Sequence, residues 1–270
     1  MIVRSIGLDF FINYACKMQR MKESAVCASN REFFSHEYVA KTMSSAAVLV
    51  YPAENTGDFL LNVLTVLILV GPAYLANTGA MLFGKWIPDK VGFINHKIDT
   101  GRVHSDGNRI LGDGKSWEGL FGGAVFSALL MMLAHFCWKG NSAESARPFI
   151  DPLVLADSTD WFWLGNEWIA AFILGFTLGL ACMLGDMVGS FVKRRQGHKR
   201  EGEVSSKAPL LDTLPFAIFI FIAAVLLFRD QVLMHEDFTS SIVAIIIFTP
   251  IIHRSFNMLG YKLGLKSVPY

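Results

Sequence analysis

Apolar residues gather along this chain in long unbroken stretches, not at every second or every third to fourth position. A helix that crosses a bilayer needs roughly 20 mostly apolar residues. Stretches of that kind lie at residues 59–83, 119–138, 168–185, 210–228 and 242–252. In the first, Gly71 and Pro72 predict a kink. The second carries no charge before Lys139, His135 apart, and the third none before Asp186. Asp212 stands near the start of the fourth. The fifth is the weakest by hydropathy; it carries Pro250 late and is extended by residues 238–241 before it and by amphipathic sequence after it.

Composition supports this pattern. Of 270 residues, 53% are hydrophobic and only 17% charged, where soluble domains carry about 25% charged residues. Mean hydropathy is +0.41. The expected fold class is all-α: a polytopic membrane protein with five transmembrane helices and cytoplasmic polar loops. Cys16, Cys27, Cys137 and Cys182 form no CxxC or CxxH pair, so neither a zinc site nor a redox motif is expected.

Loop charge sets the orientation. The loop over residues 84–118 holds Lys85, Lys90, Lys97, Arg102, Arg109 and Lys115; the loop after the third stretch holds Lys193, Arg194, Arg195, Lys199, Arg200 and Lys207. The loops over 139–167 and 229–237 are instead acidic. Basic loops stay inside, so five spans put both basic loops and the C-terminus in the cytoplasm. Trp138, Trp161, Trp163 and Trp168 flank the acidic loop, where an aromatic belt belongs. A net charge of +1 gives no reason to expect a nucleic-acid partner.

Three polar clusters fall on the expected inner face. Gly112-Asp113-Gly114-Lys115-Ser116 is not a P-loop, because position 109 is Arg where that pattern needs Gly, and no strand precedes it. Its glycines still let backbone N–H groups approach an anion. Asp113 can hold a divalent cation and Lys115 can pair with phosphate, at the N-terminus of the second span. A plain turn that starts a helix is the equal alternative. In the second cluster, Asp186, Ser190 and Lys193 fall at i, i+4 and i+7, on one face of a continued helix, with Arg194 and Arg195 following. Stop-transfer charges would explain the Lys-Arg-Arg run but not Asp186, since an acid at the end of a span is expensive. In the third, Asp212 either caps the fourth helix or ligates a metal. Asn77, late in the first span, needs a partner, either another helix or a ligand. Glycines at 119/123, 175/179 and 185/189 have the small-xxx-small spacing of close helix contacts. His135 and the other histidines have no ligand spacing and read as structural or solvated.

Taken in order, Pro72-Ala73-Tyr74-Leu75-Ala76-Asn77, Gly112 to Trp117, Gly185 to Arg195, Leu211-Asp212 and the tail Tyr261 to Pro269 resemble the archaeal CDP-archaeol synthases, membrane CTP transferases distantly similar to phosphatidate cytidylyltransferases. The resemblance covers about residues 60–270. It implies Mg²⁺, CTP and an isoprenoid glycerol phosphate, with CMP transferred to 2,3-bis-O-(geranylgeranyl)-sn-glycerol 1-phosphate at the cytoplasmic face of the cell membrane. It implies that Asp113, Lys115, Asp186 and Lys193 carry catalysis. Asn77, Ser190, Arg194 and Arg195 would bind substrate, and Asp113, Asp186 and Asp212 would hold the metal. The chain departs from the family at Glu118 and Gly189, where basic residues are expected in many members, and in a longer acidic loop. The alternatives are the same chemistry on phosphatidate, a transporter and a structural assembly protein. A transporter should carry its polar groups near the midplane, whereas these gather at one surface.

Residues 1–57 read as an N-terminal extension before a cytidylyltransferase domain over 58–270. They lack the charged, apolar and cleavage regions of a signal peptide. Met43 is a plausible start, so residues 1–42 are expected to be dispensable. The other expectation is that they are an artefact of start-site choice; N-terminal sequencing of the native protein separates the two, a terminus at Met43 meaning an artefact and one at Met1 leaving an extension.

Overall fold

The computed structural model describes residues 56–142, 146–197, 210–235 and 238–262. All regular elements in these residues are helical. Helix α1 (Thr56–Tyr74) continues after a one-residue break into α2 (Ala76–Met81), a π-helical turn (Leu82–Trp86) and α3 (Ile87–Val91). Then follow α4 (Trp117–Trp138), α5 (Glu167–Arg195), α6 (Leu214–Leu227) and α7 (Thr239–Lys262). Asp58–Val91, Trp117–Trp138 and Glu167–Arg195 are long and apolar enough to cross a membrane, while Leu214–Leu227 and Thr239–Ser255 are shorter apolar helices. Each falls on one of the stretches expected from hydropathy. The extension expected over residues 1–57 lies outside the described residues except for its end, which opens α1, and so does most of the tail motif.

The break in the first span follows Pro72, which has no N–H to give to the preceding turn. Side chains cap the long helices cleanly. Ser116 Oγ accepts from the Gly119 N–H at the start of α4, and Asn166 accepts from the Trp168 N–H at the start of α5.

Glycine sets how closely the helices approach. On α5, Gly175 and Gly179 meet Ser127, Ala124, Ala128 and Met131 of α4. Further along, Gly185 lies under Pro215 and Phe216, and Gly189 under Leu211. A Cβ at Gly189 would stand 2.3 Å from the Leu211 carbonyl oxygen. That contact explains why a basic side chain is missing there: no side chain fits. On α4, Gly123 receives the Ala76 carbonyl of α2. The small-xxx-small pairs are thus packing devices, as expected.

The acidic loop after α4 is folded onto the end of the bundle. Asp151 is buried and accepts from the N–H groups of Gly140 and Leu153 and from His135 Nδ1 at 2.8 Å. Arg147 donates to the buried Asn62 of α1 at 2.6 Å, and Ile150, Leu153 and Phe162 enter the core. His135 is therefore structural and not solvated. Trp161 spends its indole N–H on the Leu227 carbonyl at the end of α6.

At the other end, the long loop before α4 is organised around Asp99, whose carboxyl is only 1% exposed. It accepts Nε and Nη2 of Arg109 and the backbone N–H groups of Gly101, Leu111 and Gly112. Burial by itself would raise its pKa. Arg109 and the three N–H groups outweigh burial and hold the carboxyl well below the usual carboxylate range. Gly112 needs its left-handed φ of 94° here, and it lies against the Arg194 guanidinium.

Two outcomes follow from this packing. Gly185→Val is expected to destabilise the protein by about 1–3 kcal/mol or more, because its Cβ would fall 2.5 Å from one backbone atom of the 215–216 segment and 2.6 Å from another. Gly71→Ala, with nothing within 4 Å, is expected to be neutral; thermal unfolding in detergent compares them. Asp99→Asn is expected to speed hydrogen exchange of the Leu111 and Gly112 amides about tenfold or more, the equivalent of ~1.4 kcal/mol, with helix content unchanged. Because the folded carboxyl titrates below its unfolded value of about 3.9, its contribution is complete above that value. Wild-type protection should therefore hold at pH 5 and fall only as the pH drops below about 4.

Candidate active site

Helix α5 continues as one helix past the end of its apolar stretch, so Asp186, Ser190 and Lys193 lie on one side of a rigid rod. Three other segments reach this part of it. The capped start of α4 sends Lys115 to Asp186, whose Oδ2 accepts from Lys115 Nζ; both side chains are mostly buried. The turn before α6 brings Asp212 to Lys193, again as an ion pair between largely covered side chains. Helix α2 sends its Asn77 backbone N–H to the sulfur of Cys182, one turn before Asp186. Ser190, one turn after Asp186, is buried.

The Asp113 loop is tied to the same end. Asp113 is exposed and accepts from Lys97 and, at 3.0 Å, from Arg109 Nη1. Lys97 first and Arg109 second hold its carboxyl below the ordinary range, so it is an anion at neutral pH. Arg195 reaches back to the loop, giving Nη1 to Asp106 at 2.8 Å and Nη2 to the Arg109 carbonyl at 2.6 Å. Arg194 packs on Gly112. The candidate residues of all three clusters therefore meet around the last turns of α5.

One of the two alternatives for Asp212 falls, and the expected grouping of the carboxylates changes. Asp212 is not a helix cap: α6 begins later than residue 210, its cap position is Thr213, and the turn over 210–213 turns Asp212 toward Lys193 instead. Asp113, Asp186 and Asp212 also do not stand together as a carboxylate cage. Each faces its own cation, and among the described residues no three His, Cys, Asp or Glu side chains gather to hold a metal. Mg²⁺ needs no such cage. It takes one or two carboxylates and completes its shell with phosphate oxygens and water. Ionised, hard-oxygen donors beside a phosphate-attracting surface fit that requirement.

Sequence reasoning missed Asp99, Arg109 and Lys97 as builders of this site, together with the pairing of Arg195 with Asp106. The pairing of Glu118 with His96 at 2.5 Å also explains the acid found where a basic residue was expected. One local signal was present: Asp99 precedes Thr100-Gly101, and its Oδ1 accepts the Gly101 N–H, an Asx-turn.

The chain is similar to a known family over most of its length. The family model described as CarS-like, CDP-archaeol synthase, matches residues 59–165 and 157–270. The CDP-archaeol synthase of Methanospirillum hungatei is 37% identical over 200 residues, 74% of this chain and 99% of that one. The Methanococcoides burtonii enzyme is 35% identical over the same shares. That of Picrophilus torridus is 33% identical over 212 residues, 78% of this chain and 98% of its own. A solved structure described as an intramembrane enzyme for archaeal membrane lipid biosynthesis is 27% identical, covering 71% of this chain and 92% of that one, with a TM-score of 0.46. The chain belongs to the CDP-archaeol synthase family and is a membrane CTP-dependent cytidylyltransferase acting on a lipid phosphate.

Proposed function

We propose that this enzyme transfers CMP from CTP to 2,3-bis-O-(geranylgeranyl)-sn-glycerol 1-phosphate, giving CDP-archaeol and pyrophosphate, with its active site at the cytoplasmic face of the cell membrane. The observation that carries the proposal is the ion pair of Lys115 with Asp186. It joins the glycine-flanked loop to the acid at the end of α5, which supports reading the two as parts of one polyphosphate site.

A phosphate monoester has a second pKa of about 6, so the lipid phosphate is largely dianionic near neutral pH and needs no strong base to attack. One of its oxygens bonds to the α-phosphorus of CTP while the bond from that phosphorus to the α,β-bridging oxygen breaks. The electron pair leaves with pyrophosphate. The work left to the protein is alignment and charge neutralisation. Lys115, Lys193, Arg194 and Arg195 would bind phosphate oxygens. As phosphates draw these cations away, Asp186 and Asp212 are released from their ion pairs. Asp186, with Asp113 or Asp212 as a second donor, would then hold Mg²⁺, which would supply further charge neutralisation on the triphosphate when bound. Ser190 and Asn77 would orient the substrates by hydrogen bonds. The lipid chains would stay in the bilayer beside the helices and need no water-filled path.

Loop charge supports the cytoplasmic orientation, because the residues of the site come from the two basic loops. Asp186→Asn is expected to reduce turnover by about 10²–10³-fold or more while the protein still inserts and runs as a single species in detergent. The assay is pyrophosphate release from labelled CTP with Mg²⁺ and the isoprenoid glycerol phosphate. Wild-type rates in that variant would remove Asp186 from the mechanism. Phosphatidate in the same assay is expected to compete poorly; equal competition would reassign the lipid.

A further inference from the structure

The first span overshoots the membrane, and the surplus is unusual in character. Its helical run, Asp58–Val91, has 34 residues, about 51 Å at 1.5 Å per residue, against a hydrocarbon core of roughly 30 Å. The far end of the run can be placed by its contacts. Phe83 packs on Gly122 of α4, and Gly84 lies against Gly119 and Ser116, so the chain passes the start of α4 at this point. It returns to the same level shortly afterwards. His96 accepts the Trp117 N–H at 3.0 Å, and Ile98 gives its N–H to Lys115 at 3.0 Å. Asn95 closes the base by donating to the Gly84 carbonyl. Residues 85–94 are therefore a closed excursion that leaves and re-enters beside the first turn of α4.

The excursion carries large apolar side chains on its outside. Trp86 is 53% exposed, Val91 65%, Phe93 68% and Ile94 77%. Four such residues in so short a segment make a patch that aqueous loops avoid. Near its base, Trp117 and Phe121 stack at 6.0 Å on the exposed side of α4, an apolar helix long enough to cross a membrane. Lys85 and Lys90 accompany it, with only Asp89 against them, and Lys90 Nζ sits 4.3 Å over the Trp86 ring. Exposed aromatic and aliphatic groups beside lysines suit the boundary between acyl chains and anionic headgroups.

We propose that residues 85–94 are an interfacial anchor, seated in the headgroup region of the leaflet on the side of the candidate active site. Lys97, which follows directly and pairs with Asp113, is thereby held at headgroup depth. On the proposed function, this is where the phosphate of a lipid in that leaflet arrives.

The test measures depth, not activity, so it stands apart from the reaction. Ile94→Cys is labelled with an environment-sensitive fluorophore after Cys16, Cys27 and Cys137 are changed to Ser; Cys182 is buried. A Ser105→Cys label on the neighbouring exposed loop is the reference. Both are reconstituted in phosphatidylcholine vesicles with and without phosphatidylglycerol. The Ile94 label is expected to emit to the blue of the Ser105 label. Lipid-borne quenchers should quench it several-fold more than iodide does, and more strongly with phosphatidylglycerol present. Equal iodide access at both positions would overturn the proposal. So would an Ile94 label shielded from lipid quenchers whose self-quenching rises with protein density, which would assign the patch to a second copy of the chain.

Discussion

A carboxylate at the end of a membrane helix is tolerable only if a cation meets it there, and in this protein that cation comes from a different part of the chain. Lys115 reaches Asp186 from the capped start of α4, and much of the remaining architecture keeps the pair in place. The glycines of α5 bring α4 and the 211–216 segment close enough for side chains from three loops to meet. Asp99 fixes the backbone from which Lys115 extends. Arg195 ties the same loop to the end of α5. The end of α5 is thus held by ion pairs, Lys115 with Asp186 and Lys193 with Asp212, whose cations are the groups proposed above to bind phosphate.

The helices were legible because the bilayer imposes a one-dimensional rule: an unbroken apolar stretch of sufficient length. That rule located the three long apolar helical runs and the two shorter apolar helices among the described residues, and the helical spacing of Asp186, Ser190 and Lys193 held because α5 does not break at its first charge. It misplaced the start of α6, because residues 210–213 are apolar enough to count as helix yet fold as a turn. That error hid the partnership of Asp212 with Lys193. The Asp99 hub was not legible for a different reason. Its donors come from residues 101, 109, 111 and 112 in an irregular loop, where no period links them. The buried pair of Asp151 with His135 in the acidic loop was hidden in the same way, since no period links the two residues.

The arrangement also bears on the proposed use of Mg²⁺. Asp113, Asp186 and Asp212 are distributed around one end of α5, and each is already neutralised. Carboxylates placed in this way hold a cation weakly by themselves and more strongly beside phosphates. Metal and nucleotide would then bind as one unit, which suits an enzyme whose substrate carries most of the charge.

The central claim is that Lys115 and Asp186 interact directly across the two helices. A double-mutant cycle tests it: thermal unfolding of Lys115→Met, Asp186→Asn and the double variant in detergent. Direct pairing predicts that the double variant loses less than the sum of the single losses, by more than about 0.5 kcal/mol. Losses that simply add would show that the two residues do not meet and would contradict the convergence of the loops on α5.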